Sequence, residues 1–211
     1  MPRAPRLHDA GLLHHVISRG NDRQPLFKTS ADFQKYIDLL SQARRQYPVK
    51  IYNYVLMDNH VHLLIEPQKE GNLSKFMEYV TKEYAKYFNK TYDRMGHVFQ
   101  GRFKSFVVQH ERYFFSCSRY IDLHPVKEKL VLHPHQYQWS GHGALAAGKP
   151  SPLTLDVHSL YGNLGATTHE RQIAYRGLVT ASMGEDLDLL DKRVCVLGDK
   201  EFKKKMKEQR T

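Results

Sequence analysis

Apolar positions along this chain change their spacing several times, and each change marks an element. Leu12 to Ser18 is an apolar-rich run that reads as a strand, and it ends in the turn formers Arg19-Gly20-Asn21-Asp22. From Ala31 the spacing of Phe33, Tyr36, Ile37, Leu40 and Ala43 is helical, with Thr29 or Ser30 as cap. Pro48 closes that helix. Val49 to Met57 is β-rich, Asp58-Asn59 is a tight turn, and His60 to Ile65 returns as a second strand, making a hairpin. Asn72 to Lys90 is helical, with Asn72 or Ser74 near its start and Leu73, Phe76, Met77, Val80, Tyr84, Tyr87 and Phe88 on one face. Phe103 to Val108 reads as a strand and Glu111 to Leu123 as a helix ending at Pro125.

In order this is β-α-β-β-α-β with an extra helix. The pattern predicts an α+β fold, a ferredoxin-like antiparallel sheet with helices packed on one face. After about residue 145 the texture changes. Gly148-Lys149-Pro150-Ser151-Pro152 reads as a linker, and helical patches at His169–Ser182 and Glu201–Glu208 follow. The expected division is a domain over residues 1–144 and a linker with a small helical C-terminal extension over 145–211.

Composition adds a partner class. Of 211 residues 41% are hydrophobic and 26% charged, and no apolar run approaches the ~18 residues that span a bilayer. Met1-Pro2-Arg3-Ala4-Pro5-Arg6 is basic but precedes no long apolar core, so it reads as an arm or tail and not a secretory signal. The two cysteines, Cys117 and Cys195, point to a reducing cytoplasm and supply no cysteine-rich zinc site. Residues 1–144 hold 21 basic and 13 acidic side chains, against 11 and 9 in the rest, so most of the net charge of +10 sits in the first part. That favours a polyanionic partner, nucleic acid first, and a nucleoid-associated location.

Two histidine pairs stand out among thirteen histidines. His133-Pro134-His135 has proline at its centre in a polar stretch and reads as loop. His60-Val61-His62 sits in a strand, where period-2 alternation points both imidazoles to one face, an arrangement that holds a metal. Further on, Tyr120 and His124 lie four residues apart on one helix and so share a side. Three imidazoles at His60, His62 and His124 would hold a divalent ion with open positions, and a phenol one turn away would attack a phosphorus whose oxygen that ion binds. Arg119 and Lys127 are nearby cations that favour the phenolate; no general base is evident. Three nitrogens favour Mn²⁺, Co²⁺ or Zn²⁺ over Mg²⁺.

Four segments, "HHVISRGNDRQPLF", "YVLMDNHVHLLIEP", "GHVFQGRFKS" and "RYIDLHPVKEKLV", span residues 14–131. Together they resemble the REP-associated tyrosine transposases of the single-tyrosine HUH superfamily. The resemblance implies a ferredoxin-like nuclease that cuts single-stranded DNA beside palindromic hairpins, links its tyrosine to the 5′ phosphate and releases a 3′ hydroxyl. It implies His60 and His62 as metal ligands, a Mn²⁺ or Mg²⁺ cofactor, Tyr120 as nucleophile, and a monomer or homodimer acting on single-stranded or hairpin DNA. The family commonly reads Tyr-Ile-x-Leu-Asn-Pro-Val, whereas this chain has His124 in place of the asparagine, so a ligand of another kind replaces a ligand.

For the DNA surface, Arg102 and Lys104 around Phe103 rank first, and Arg19 and Asn21 at the end of the first strand rank next. On the Asn72–Lys90 helix, Lys75, Lys82, Lys86 and Lys90 fall within roughly 80° of one another with Tyr79 among them, a track for phosphates and an unstacked base. Two rival readings remain open at this level. One is a binding-only module with an aromatic-bearing sheet, like RNA-recognition domains; the other is a metal-dependent hydrolase that uses water. Two-histidine phosphoesterases need His-x-Ser or His-x-Thr elements, which neither pair supplies.

Overall fold

In the computed structural model residues 10–183 and 196–208 are described, without the side chains of 111 and 112; the Met1–Arg6 arm and Cys195 lie outside them. The order is β1 (Leu13–Arg19), α1 (Ser30–Gln46), β2 (Val49–Met57), β3 (His60–Pro67), α2 (Asn72–Thr91), β4 (Lys104–Val108) and α3 (His110–Lys127). There follow α4 (His142–Ala147), α5 (Ser159–Gly162), α6 (Thr168–Ala181), β5 (Val196–Leu197) and α7 (Lys200–Glu208). The sheet runs β2-β3-β1-β4-β5. Its first four strands are antiparallel in the ferredoxin-like order, and β5 pairs in parallel with β4. A two-residue strand, lying between the two expected helical patches, is below the reach of strand periodicity.

Alternation divides the strands between two cores. On β3, Val61, Leu63 and Ile65 pack with Leu40, Phe76 and Val80 of α1 and α2, whereas Leu64 packs with Phe114, Cys117 and Ile121 of α3. The pair α1 and α2 covers one face as expected. The extra helix α3, joined by α4 to α6, covers the other, so the sheet is a middle layer. On β2 the inward positions switch from Val49 and Ile51 to Tyr54 and Leu56 across an irregularity between Ile51 and Asn53, which turns the Asn53 side chain towards α3.

The second helix starts at Asn72 as expected, whereas the end of α3 differs from expectation. Gly71, with φ 73°, caps α2, and the Asn72 side chain donates instead to the Pro48 carbonyl at 2.9 Å. The helix α3 does not stop before Pro125 but carries it in its last turn. Lys129, at φ 60°, then reverses the chain, with Lys129 N–H on the Val126 carbonyl and Leu130 N–H on the Pro125 carbonyl. The close of α3 is thus a left-handed cap that works around the proline, and His124 keeps a helical direction.

Beyond residue 144 the chain packs onto the sheet. The Gly148–Pro152 stretch is irregular as expected, and past it Leu153 is buried in the core while Asp156 grips Arg44 of α1 at 2.6 Å.

Candidate metal and nucleic-acid site

The strand register assembles the site. Ile17 lies opposite both His62 and Lys104, and Arg19 lies opposite His60, so alternate residues of β1, β3 and β4 face α3 together. Across from them α3 presents Tyr120, His124 and Lys127. The result is a cleft of about 260 Å³ lined by Ile17, Arg19, His62, Gln100, Arg102, Lys104, Phe106, Tyr120, His124, Lys127 and Glu128. The turn after β1 is built tightly against this cleft. A side chain at Gly20 would strike the Gln24 carbonyl, and Gln100 N–H bonds the Arg19 carbonyl at 2.8 Å, which docks the Gly96–Phe103 segment on the strand end.

His60, His62 and His124 are all buried, and one nitrogen from each lies within 4.8 Å of the others. The outer partners set the ring protons. Asn59 donates its amide to the Arg23 carbonyl, which leaves its oxygen, 2.6 Å away, to accept from His60 Nδ1. His60 Nε2 is therefore a lone pair; it meets His124 Nε2 at 2.8 Å, so His124 donates there. His62 Nδ1 lies 2.8 Å from Nε2 of fully buried His15, whose ring stacks on it at 5.0 Å. Buried His62 Nε2, the ring nitrogen not facing His15, has no hydrogen-bond partner. A bare buried imidazole nitrogen is costly, and a cation held by these rings removes the cost. The donor set fits a divalent ion.

The rings are also in the right protonation state. Burial, and after it the charges of His124 and Arg19, pulls His60 down to about 3. Burial, and after it Lys127 and Arg19, pulls His124 down to about 4, and burial then His124 puts His15 at about 3. Burial also takes His62 well below its ordinary value. All are neutral near pH 7, which is what ligation requires. The Tyr120 ring stands edge-on to three of them, 5.7 Å from His62, 5.2 Å from His124 and 5.8 Å from His15.

Other expected residues divide. Arg19, Arg102 and Lys104 line the cleft, as does Lys127. Arg119 does not; its guanidinium bonds Ser182 at 2.8 Å and Ser116 at 3.3 Å. Asn21 is exposed and lines neither cavity. The exposed lysines of α2 stand on the opposite side of the sheet, where Lys82 lines a second groove of about 650 Å³ that shares Arg102 with the cleft. Lys86 pairs with Glu83 at 2.7 Å, and Tyr79 leans on Gln42 of α1, away from the lysine track. Where a loop was expected, His133 caps a one-turn 3-10 helix over Pro134–Gln136; its ring stacks on that of His135, and neither enters a three-ligand cluster among the described residues. The pattern did not single out His15, Gln100, Phe106 or Glu128. For His15 the only signal was its place beside His14 in an apolar-rich strand.

A family model described as "Transposase IS200 like" matches residues 10–124. A solved structure of a REP-associated tyrosine transposase bound to a REP hairpin is 20% identical, with TM-score 0.59, over 75% of this chain and 94% of that one. A second, a structure from Deinococcus radiodurans R1 assigned as a transposase, is 19% identical with TM-score 0.38, over 54% of this chain and 92% of that one. No curated protein matches by sequence.

Proposed function

Since the chain belongs to the IS200-like transposase family, we propose that this enzyme of DNA transposition cuts and rejoins single-stranded DNA beside a hairpin, through a phosphotyrosine at Tyr120. The observation that carries this reading is one cleft in which Tyr120 stands beside His62 and His124 and is ringed by Arg19, Arg102, Lys104 and Lys127. The hairpin is proposed from the solved relative's own ligand and from the basic lining here.

In the proposed reaction the Tyr120 oxygen attacks the scissile phosphorus, the bond to the 3′ oxygen breaks, and that oxygen takes a proton and leaves as a hydroxyl. The DNA 5′ phosphate remains on Tyr120, and a 3′ hydroxyl attacking it reverses the step. His60, His62 and His124 would hold the divalent ion, which when bound polarises a phosphate oxygen. The basic side chains offset the charge that develops on phosphate and phenolate. His15 buttresses His62, and Asn59 buttresses His60, fixing which nitrogen of each ring faces the cleft. A binding-only module of the RNA-recognition kind needs an open sheet with exposed aromatics. Here helices cover both faces, and the exposed large apolar side chains among the described residues, such as Met95 and Leu132, include no aromatic ring.

Two tests follow from the cleft. Chelation is expected to abolish cleavage, and Mn²⁺ to restore it about tenfold faster than Mg²⁺ at equal concentration, because three nitrogens suit the softer ion. His124→Asn is expected to narrow that ratio. Equal initial rates in the two metals would remove the three-imidazole ligand set. Separately, Arg102→Ala and Lys104→Ala are each expected to weaken hairpin binding and to shallow its log–log salt slope by about one. Titrations at several salt concentrations that leave affinity and slope unchanged would take both residues out of the DNA contact.

A further inference from the structure

The elements that form the catalytic cleft meet again at their far ends. His60 opens β3 and Glu66 nearly closes it, about 20 Å on at strand rise; His110 opens α3, about 21 Å before His124 at helical rise. Glu66 and His110 come together there with His158, the cap residue of α5, and one ligand atom from each lies within 4.8 Å of the others. None of the three belongs to the site already described.

From this juxtaposition we infer that Glu66, His110 and His158 bind a second divalent cation of the zinc class, which ties α3 and the loop before α5 to the end of β3. Two imidazoles and a carboxylate are a donor set that suits Zn²⁺, with a fourth position left for water. The arrangement repeats the signature of the first centre. His110 Nδ1 and His158 Nε2 lie 2.9 Å apart, as His60 and His124 do at 2.8 Å. The outer nitrogen of His110 donates to the Gly11 carbonyl at 3.1 Å, which leaves Nδ1 as the inward lone pair. The His158 ring is held in place by stacking on Phe114 at 4.1 Å and edge contact with Tyr52 at 4.8 Å. Glu66 is oriented by Tyr52, whose hydroxyl donates at 2.6 Å, by Gln68 at 3.0 Å, and by an ion pair with Lys50 at 3.9 Å that a bound cation would compete with. Ligation through His158 Nε2 moves its proton to Nδ1 and gives up the bond that Nδ1 accepts from Leu160 N–H at 3.1 Å, one contact at the start of a four-residue helix.

The test is Zn²⁺ titration calorimetry on the full chain, freed of metal and carrying no polyhistidine tag. Wild type is expected to bind two ions. A His60→Ala/His62→Ala double variant is expected to keep one, and with it a Zn²⁺-dependent rise in thermal midpoint. Adding His110→Ala should remove that ion, and adding the volume-conserving Glu66→Gln should weaken it at least tenfold. A double variant that binds no zinc overturns the inference and leaves the catalytic reading standing. A remaining ion indifferent to both His110→Ala and Glu66→Gln overturns it too, by placing the ion elsewhere.

Discussion

Tyr120→Phe is expected to abolish covalent capture of a cleaved hairpin oligonucleotide and to slow cleavage by at least about 10³-fold, while hairpin affinity stays within about twofold. The variant deletes one oxygen from a ring fixed between His62, His124 and His15. It leaves Arg19, Arg102 and Lys104, which line the same cleft, in place to hold DNA. Separation of binding from chemistry is therefore the signature to look for. It is read by denaturing electrophoresis of labelled DNA alongside a binding titration. A hydrolase that uses water keeps cutting without the phenol, so undiminished cleavage by Tyr120→Phe would transfer the reaction to that rival.

Asp122→Ala is expected to be the most damaging single truncation near the site, costing roughly 3–5 kcal/mol and lowering the thermal midpoint by on the order of 10 °C. Asp122 is almost fully buried, two residues from Tyr120, and accepts from Asn53 at 2.8 Å, Tyr175 at 2.7 Å and His142 at 2.9 Å. Ser118 closes the network, bonding Asn53 at 2.8 Å and Tyr175 at 2.7 Å. Truncation removes the acceptor of three buried donors, of which Asn53 and Tyr175 keep only Ser118 nearby, and a buried donor without an acceptor carries the full desolvation cost. The network links β2, α3, α4 and α6, so its loss loosens the helix that carries Tyr120 and His124. A displacement of about 1 Å there is enough to cost about 10²-fold in rate. Circular dichroism on heating measures the first effect; a midpoint within about 2 °C of wild type would mean that the network is not holding α3.

The same network marks what local patterns leave out. Alternation on β3 was enough to place His60 and His62 together on the face that meets α3, and a four-residue spacing was enough to align Tyr120 with His124. Those inferences use only the periods of a strand and a helix. Whether the two elements face each other depends on packing between residues some sixty positions apart; the chemistry that three imidazoles and a phenol share, and then the family resemblance, joined them, not periodicity. Nothing local separated His15 from its neighbour His14, because its role exists only through the diagonal neighbour His62 on the adjacent strand. Asn53 likewise read as a strand position; the irregularity that turns it towards Asp122 arises in the pairing of β2 with β3. Arg119 and Tyr79 show the converse. Both sit at the expected places on their helices, yet Ser182 and Gln42, on other helices or their ends, take their side chains elsewhere. The two faces of the sheet were also beyond the pattern, since a ferredoxin-like strand order fixes neighbours and leaves open how many layers cover them.

In the proposed reaction Tyr120 itself becomes joined to DNA. Incubation of the wild-type protein with Mn²⁺ and a single-stranded hairpin substrate, followed by denaturation, nuclease trimming, proteolysis and mass spectrometry, reads that directly. A nucleotide phosphate remnant is expected on the peptide that contains Tyr120, localised to that residue by fragmentation. A remnant on another residue, or efficient cleavage with no remnant on any peptide, would contradict it.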